Sequence, residues 1–204
     1  MIKERQSTSK GERREQEILL AAADMFCHKG FHATSLEDIA QAVGIRKSSL
    51  YYYAQTKDEL LFRVVEMGLR PMIDELQAVC SSAHPPAEKL RRAIDVHVLN
   101  IDSQRSTMGV ILREDRSVAP QHRERYIALR DAYEVLLRGL IREGVASGAF
   151  RACDPVTITR AILGMCSWLT VWYRPGGGLS AAELSSQFSE LILKGLEMDV
   201  GGSQ

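Results

Sequence analysis

The sequence lacks the features that mark several classes of protein. Its four cysteines form no C-x-x-C pair and have no histidine at zinc-ligand spacing, so we expect no metal site and no cofactor. No nucleophile–base motif or carboxylate cluster is recognisable, so the sequence predicts no catalytic residues. A signal peptide and an apolar run of about 18 residues are also missing, which predicts a cytoplasmic protein with no membrane partner.

The chain has no net charge, because 26 Lys and Arg residues balance 26 Asp and Glu residues. Residues 1–58 carry nine basic and eight acidic side chains, so this part is nearly neutral as well. Any affinity for DNA must therefore come from the local placement of charge and from doubling in a dimer. Aromatic residues make up only 6% of the chain, which disfavours a large cavity lined by aromatic side chains.

The stretch from residue 34 to residue 57, TSLEDIAQAVGIRKSSLYYYAQTK, has the pattern of two short helices joined by a tight turn. Thr34 and Ser35 precede an apolar-periodic run, and Glu37 and Asp38 follow each of them by three residues, which predicts a capping box. Gly44 stands where the chain must leave the first helix with a positive φ. A helix-turn-helix of this kind places its second helix in the DNA major groove, and an ordinary helical corner is the alternative.

Residues 15–62 resemble the N-terminal domain of TetR-family transcriptional regulators. The matching motifs are A-x-x-x-F-x-x-x-G-F-x-x-T-S, L-x-D-I-A-x-x-V-G-I, S-L-Y-Y-Y and K-D-E-L-L, and one departure is Ala54, where the family usually has Phe. The second helix and its flanks carry the DNA-binding candidates: Lys47, Ser48 and Tyr52 at base edges, Arg46 and Ser49 beside them, and Thr34, Ser35, Tyr51 and Lys57 at the DNA backbone.

Helical periodicity continues through the rest of the chain, no strand pattern is recognisable, and the sequence predicts an all-α fold of about nine helices. We expect Pro71 to kink or split a long helix that begins at Lys57. The predicted divisions are a disordered arm at 1–11, a helix-turn-helix domain at 12–56, an effector-binding and dimerisation domain at 57–199, and a flexible tail at 200–204.

Both tryptophans of the chain follow Met165 at helical spacing, so Met165, Trp168 and Trp172 are predicted to share one helix face. Such a face belongs to a core or a dimer interface at least as often as to a ligand site. The run R-A-I-L-G-M-x-x-W-x-x-x-W-Y-R-P-G-G, from Arg160 to Gly177, is similar to that of TetR regulators of fatty-acid, aromatic-acid or steroid-ring breakdown that respond to acyl-CoA thioesters.

An acyl-CoA effector needs an apolar cavity for its acyl group and cations for its phosphates. The resemblance to this subgroup, together with the apolar stripes of the helices, selects the effector-binding candidates: Met108, Leu112, Arg113, Tyr126, Arg130, Arg160, Met165, Trp168, Trp172 and Arg174. His97 lies on or beside an apolar face and is interpreted as a core histidine in preference to a ligand contact.

The sequence therefore predicts a homodimeric bacterial repressor that binds a double-stranded palindromic operator and is released by a small-molecule effector. The resemblance implies dimerisation through the last two helices. Two alternatives stay open: a multidrug or lipophile sensor that represses an efflux gene, and an all-α enzyme acting on CoA esters.

Overall fold

The computed structural model describes residues 10–197, and every regular element in this range is helical. Counting α8 and α9 as one interrupted helix gives nine α-helices among the described residues, as predicted, and a short 3-10 turn, Asp115–Ser117, follows α6. The helices are α1 Lys10–Lys29, α2 Leu36–Ala42, α3 Lys47–Leu50, α4 Lys57–Cys80, α5 Pro86–Ser103, α6 Arg105–Arg113, α7 Pro120–Ala146, α8 Pro155–Ser167, α9 Leu169–Trp172 and α10 Ala181–Leu196.

The predicted arm and tail fall mostly outside the described range, which excludes residues 1–9 and 198–204. Lys10 and Gly11 were assigned to the arm, but they form the first turn of α1. Within residues 10–197, no helix combines the length and the apolar character that crossing a bilayer requires.

The helix-turn-helix is held by its own termini, as the sequence predicts. Ser35 caps α2, where its hydroxyl accepts from the Asp38 amide and the Asp38 carboxylate accepts from the Ser35 amide. At the other end Gly44 has a φ of +67°. The amide of Gly44 donates to the Gln41 carbonyl and the amide of Ile45 to the Ala40 carbonyl, which completes a Schellman motif.

Helix α4 connects the helix-turn-helix to the rest of the chain. We expected Pro71 either to kink or to split this helix, and α4 continues through Pro71 without a split. Thr56 caps its first turn by accepting from the amide of Glu59. The helix packs most extensively on α7, while α10 packs on α5 and α1 packs on α6. Helix α4 therefore belongs to both parts of the molecule.

Two glycines bring α6 close to both of its neighbours. A Cβ on Gly68 of α4 would lie 2.6 Å from Thr107 Cγ2, and a Cβ on Gly109 of α6 would lie 2.7 Å from Cys27 Sγ of α1. Real Cβ atoms do not approach other atoms so closely, so larger residues at these positions would push the helices apart. Helix α6 is therefore in direct packing contact with the first helix of the helix-turn-helix module.

The penultimate helix was predicted to run without interruption through both tryptophans, but it is divided at Trp168 into α8 and α9. Trp168 keeps helical dihedral angles, while the Val171 amide bonds to the Trp168 carbonyl and the hydroxyl of Thr170 donates to the Ser167 carbonyl. Asp154 caps the start of α8, and Pro155 occupies its first position. Ser180 and Glu183 form a capping box at the start of α10.

A buried polar row joins α5, α7 and α8. His97 Nδ1 lies 3.2 Å from the hydroxyl of Tyr133, and His97 Nε2 lies 3.2 Å from the hydroxyl of Ser167. Burial lowers the pKa of His97 to about 4 and raises that of Tyr133, so both side chains are neutral at neutral pH. The prediction of a satisfied core histidine agrees with this geometry.

We expect Gly144→Ala to destabilise the fold, because its Cβ would lie 2.0 Å from the ring of the buried Phe150. Overpacking of this kind costs about 1–3 kcal/mol, more than the ~1 kcal/mol that Ala gains over Gly in a helix. Gly139→Ala on the same helix meets no heavy atom within 4 Å and should be neutral or stabilising. Urea unfolding of both variants checks this, and equal stabilities would contradict the packing argument.

We also expect His97 to make the fold less stable in acid. Between pH 6.5 and about 4 the unfolded chain binds a proton at His97 that the folded chain does not bind, so the free energy of unfolding falls as pH falls through this window. The contribution is about 3 kcal/mol. His97→Gln should reduce the difference between unfolding free energies at pH 7 and pH 4.5, whereas the exposed His84→Gln should behave like the wild type. If the wild type and both variants lose the same free energy of unfolding between pH 7 and pH 4.5, a group other than His97 causes the acid destabilisation.

Candidate functional site

The second helix of the helix-turn-helix presents a polar face to solvent. Leu50 of α3 is buried, whereas its neighbours are exposed, with Tyr52 at 86% and Tyr51 at 39%. The ammonium of Lys47 lies 3.9 Å from the carboxylate of Glu37 on α2, and both side chains are exposed, so the charge of Lys47 is at the surface. Among the predicted base-edge and backbone residues, those that share this exposed surface are Arg46, Lys47, Ser48, Ser49, Tyr51 and Tyr52.

Contacts from α1 and α4 fix α3 in place. The guanidinium of Arg63 on α4 contacts both the Tyr53 carbonyl and the Glu15 carboxylate of α1. Arg14 of α1 donates to the carbonyl of Val43, at 3.3 Å, at the end of α2. Ala54 is buried in the core, so this position is filled despite the departure from the family pattern.

Two of the predicted DNA-backbone contacts have internal roles in this structure. The side chain of Thr34 is only 1% exposed, and its hydroxyl donates to the Gly30 carbonyl at 2.8 Å. The Lys57 ammonium donates to the carbonyls of Phe31, His32 and Thr34 and lies 4.5 Å from the Phe31 ring centroid. Both residues stabilise the loop between α1 and α2, and their assignment to phosphate contacts stays a prediction. Ser35, the third predicted contact at this end, remains exposed at the start of α2.

The first turn of α1 adds a basic surface next to α3. Lys10, Arg13 and Arg14 line a hollow together with Tyr53, which follows α3. Because these cations are helical, their positions relative to α3 are set by the fold.

The effector domain contains an apolar cavity of about 130 Å³ between α4, α5, α6, α7 and α8. Its mouth carries Leu112, Arg130 and Asp131, which are exposed, while His97 and Tyr133 of the polar row are buried. The apolar side chains that line this cavity are Leu69, Met72, Met108, Ile111, Leu112 and Leu163.

Three of the predicted effector contacts line the apolar cavity: Met108, Leu112 and Arg130. Arg130 lies 3.6 Å from the Asp115 carboxylate, so its charge is partly compensated. Tyr126 was also predicted to contact the effector, but it does not line this cavity. Its side chain is buried in the core, its hydroxyl donates to the Ile111 carbonyl, and burial raises its pKa to about 12.

A second hollow, the arginine cleft, opens between α1, α6 and the end of α9 and has a volume of about 430 Å³. The cations that line it are Arg105, Arg113 and Arg174, of which the last two were predicted and the first was not. Nη1 of Arg105 is buried without a hydrogen-bond partner among the described residues. Arg174 donates to nearby carbonyls, those of Val171 and Tyr173, so the cleft presents positive charge with little internal compensation.

The remaining predicted effector residues lie away from these two hollows. Met165 lines an apolar groove between α8 and α10, together with Leu191, which is 64% exposed. Trp168 and Trp172 are also largely exposed, and Arg160 is on the outer surface of α8. This surface fits the alternative interpretation of the tryptophan face as part of an interface.

The sequence contained a signal for Arg105, because it precedes Arg113 by eight residues and therefore lies on the same face of α6. No sequence signal joins His97, Tyr133 and Ser167, which come together from three helices. In the part of the chain that the structure describes, no three His, Cys, Asp or Glu side chains are arranged to hold a metal ion. The arrangement is suited to binding DNA and an anionic organic molecule.

Comparisons with known proteins agree with this organisation. The profile of the bacterial regulatory proteins of the tetR family matches residues 18–64, and that of the tetracyclin repressor-like C-terminal domain matches residues 83–196. The transcriptional repressor KstR2 of Rhodococcus jostii (strain RHA1) is 27% identical over 185 residues, which cover 90% of this chain and 91% of that protein.

Solved structures show the same fold over nearly the whole chain. The TetR-family regulator PfmR from Thermus thermophilus is 36% identical with a TM-score of 0.82, over 89% of this chain and 99% of PfmR. AibR, solved with isovaleryl coenzyme A and operator DNA, is 25% identical with a TM-score of 0.79, over 90% of this chain and 98% of its own. The chain therefore belongs to the TetR family of bacterial transcriptional regulators, which are DNA-binding proteins and not enzymes.

Proposed function

We propose that the protein is a homodimeric repressor that binds a palindromic operator and is released from it by an acyl-CoA thioester. The observation that carries the effector assignment is the pairing of an apolar cavity with the arginine cleft on adjacent faces of α6. An acyl-CoA combines an apolar acyl group with a strongly anionic nucleotide, and it needs both kinds of surface.

In this proposal one extended ligand uses both hollows, because α6 contributes a wall to each of them. Met108, Ile111 and Leu112 face the apolar cavity, and Arg105 and Arg113 of the same helix face the arginine cleft. The walls opposite α6 come from two helices that are consecutive in the chain, because α8 lines the cavity and α9 lines the cleft. In this proposal the acyl group enters the cavity and the phosphates bind the arginines.

Relatives support this effector class. AibR has been solved with isovaleryl coenzyme A and operator DNA, and a relative from Bacillus subtilis (strain 168), 21% identical, is named a fatty acid metabolism regulator.

The exposed apolar groove between α8 and α10 supports a dimer. Ile158, Ala161, Met165 and Leu191 line this groove, and Trp168 next to it is 62% exposed. Exposed apolar surface of this kind is covered when a second copy packs its own α8 and α10 against it. A two-fold dimer presents two copies of α3, which can read the two halves of a palindrome.

Helix α6 supplies a route from effector to operator. It lines both hollows, and it contacts α1 through Gly109 and through the hydrogen bond from Ser106 to Asp24. The carboxylate of Glu114, just after α6, also accepts from the amide of Phe31. An effector that binds better to one position of α6 shifts the helix-turn-helix between its conformations and so changes operator affinity.

Tyr52→Ala and Lys47→Ala should each weaken specific operator binding about tenfold to a hundredfold, because a side chain that reaches a base edge contributes about 1–3 kcal/mol. A duplex selected from a random pool with the wild-type protein is the probe, and fluorescence anisotropy gives the dissociation constant. Arg70→Ala is the control, since it removes only an exposed ion pair with Glu66 on α4. Wild-type affinity in both α3 variants would show that another surface reads the operator.

Arg113→Gln and Arg174→Gln should each raise the concentration of acyl-CoA needed to release the operator about tenfold, because each removes a charge from the phosphate site. Thermal shifts with free CoA, with short, long, aromatic and steroid acyl-CoAs and with uncharged drugs identify the effector first. Arg142→Gln, an exposed arginine of α7 outside both hollows, is the matched control. Stabilisation by drugs and by no CoA ester would instead indicate the efflux-gene sensor.

A further inference from the structure

The wall of the apolar cavity contains polar side chains that hydrophobic packing does not require. His97, Tyr133 and Ser167 all line it, and His97 lies between the two hydroxyls with a hydrogen bond to each. Within residues 10–197, neither hydroxyl has a further hydrogen-bond partner. The apolar part of the wall is formed by Leu, Ile and Met side chains, and the charged side chains of Arg130, Asp131 and Glu134 also line the cavity.

The His97–Tyr133–Ser167 row has one more hydrogen-bond donor than its two internal hydrogen bonds use. A neutral imidazole carries one N–H, and the two hydroxyls carry one O–H each, so three donors serve two internal hydrogen bonds. If Nδ1 carries the proton, it donates to Tyr133, Ser167 donates to Nε2, and the Tyr133 O–H is free. If Nε2 carries the proton, the Ser167 O–H is free. Either tautomer therefore leaves one hydroxyl hydrogen for a ligand in the cavity.

The position of the row determines which part of a ligand it meets. His97 and Tyr133 are 7% and 6% exposed, whereas Leu112, Arg130 and Asp131 at the mouth are exposed. In the proposed complex the CoA portion lies outside the cavity, so the thioester lies near the mouth. The buried row then faces the distal part of the acyl group.

We propose that the cavity recognises an oxygen atom in the distal part of the effector's acyl group, through the free hydroxyl of the His97–Tyr133–Ser167 row. This inference rests on the proposed acyl-CoA function and narrows it to oxygenated acyl groups. An unpaired donor in an apolar pocket is costly, so an acyl group that supplies an acceptor is favoured over one that does not. The oxygen is a ketone or a hydroxyl, both of which accept hydrogen bonds.

The volume of the cavity also limits the acyl group. A cavity of about 150 Å³ lined by apolar side chains accommodates one benzene molecule. At about 130 Å³, this cavity has room for a single ring or a short branched chain. The favoured effector is therefore a short or one-ring oxo- or hydroxyacyl-CoA, in preference to a long-chain fatty acyl-CoA.

The test compares pairs of ligands that differ only by one oxygen. Isothermal titration calorimetry of the full chain gives dissociation constants for cyclohexanecarboxyl-CoA and for its 3-oxo and 4-oxo derivatives. We expect the better oxo compound to bind the wild type at least about tenfold more tightly than the parent. Equal binding of all three compounds would overturn the inference while leaving the acyl-CoA function intact. Failure of every CoA ester to bind would end the proposed function, and the inference with it.

Two variants identify the hydroxyl that carries the preference. Tyr133→Phe and Ser167→Ala each delete one hydroxyl, and the tenfold ratio should fall to about one when the donor that meets the ligand is removed. Binding of the parent compound reports whether each variant is folded. Tyr126→Phe is the matched control, because it deletes a buried hydroxyl that does not line the cavity and that donates to the backbone carbonyl of Ile111, and it should keep the ratio. A ratio that survives in both Tyr133→Phe and Ser167→Ala would assign the discrimination elsewhere and overturn the proposal.

Discussion

The close packing of α6 against α1 and α4 is the constraint on which the arrangement of this molecule depends. It exists because Gly68 and Gly109 have no side chain at the two points of closest approach. Interiors packed at this density do not deform continuously, so a ligand that displaces α6 must also displace a neighbour. The same helix supplies walls to both hollows, so in the proposed function effector binding is coupled to the first helix of the DNA-binding module.

The cations of this neutral chain have different roles in different places. The arginine cleft collects three cations with little internal compensation, whereas the Lys57 ammonium binds three backbone carbonyls of the α1–α2 loop. A cation at the first position of α4 is unfavourable with respect to the helix dipole, and these carbonyls and the Phe31 ring offset that effect. The net charge of the chain therefore says little about where anions bind.

Local sequence rules accounted for most of the helices and for the exposed face of α3. Capping residues, the turn at Gly44 and the exposed face of α3 follow from patterns within a few residues, which is why Ser35, Lys47 and Tyr52 were selected correctly as surface positions. Thr34 was assigned to DNA by its hydroxyl alone. Its burial follows from α1 and the loop after it, which no local pattern reveals.

The sequence by itself determined the all-helical class and the family, because these depend on periodicity, caps and motifs that lie close together in the chain. Tertiary structure alone decided that Tyr126 belongs to the core, that Arg174 lines the same cleft as Arg105 and Arg113, and that His97 meets Tyr133 and Ser167. The hydrogen bonds of Tyr126 and His97 join residues that are 15 to 70 positions apart. They depend on how helices pack rather than on where helices form, and a single sequence contains no local signal for that packing.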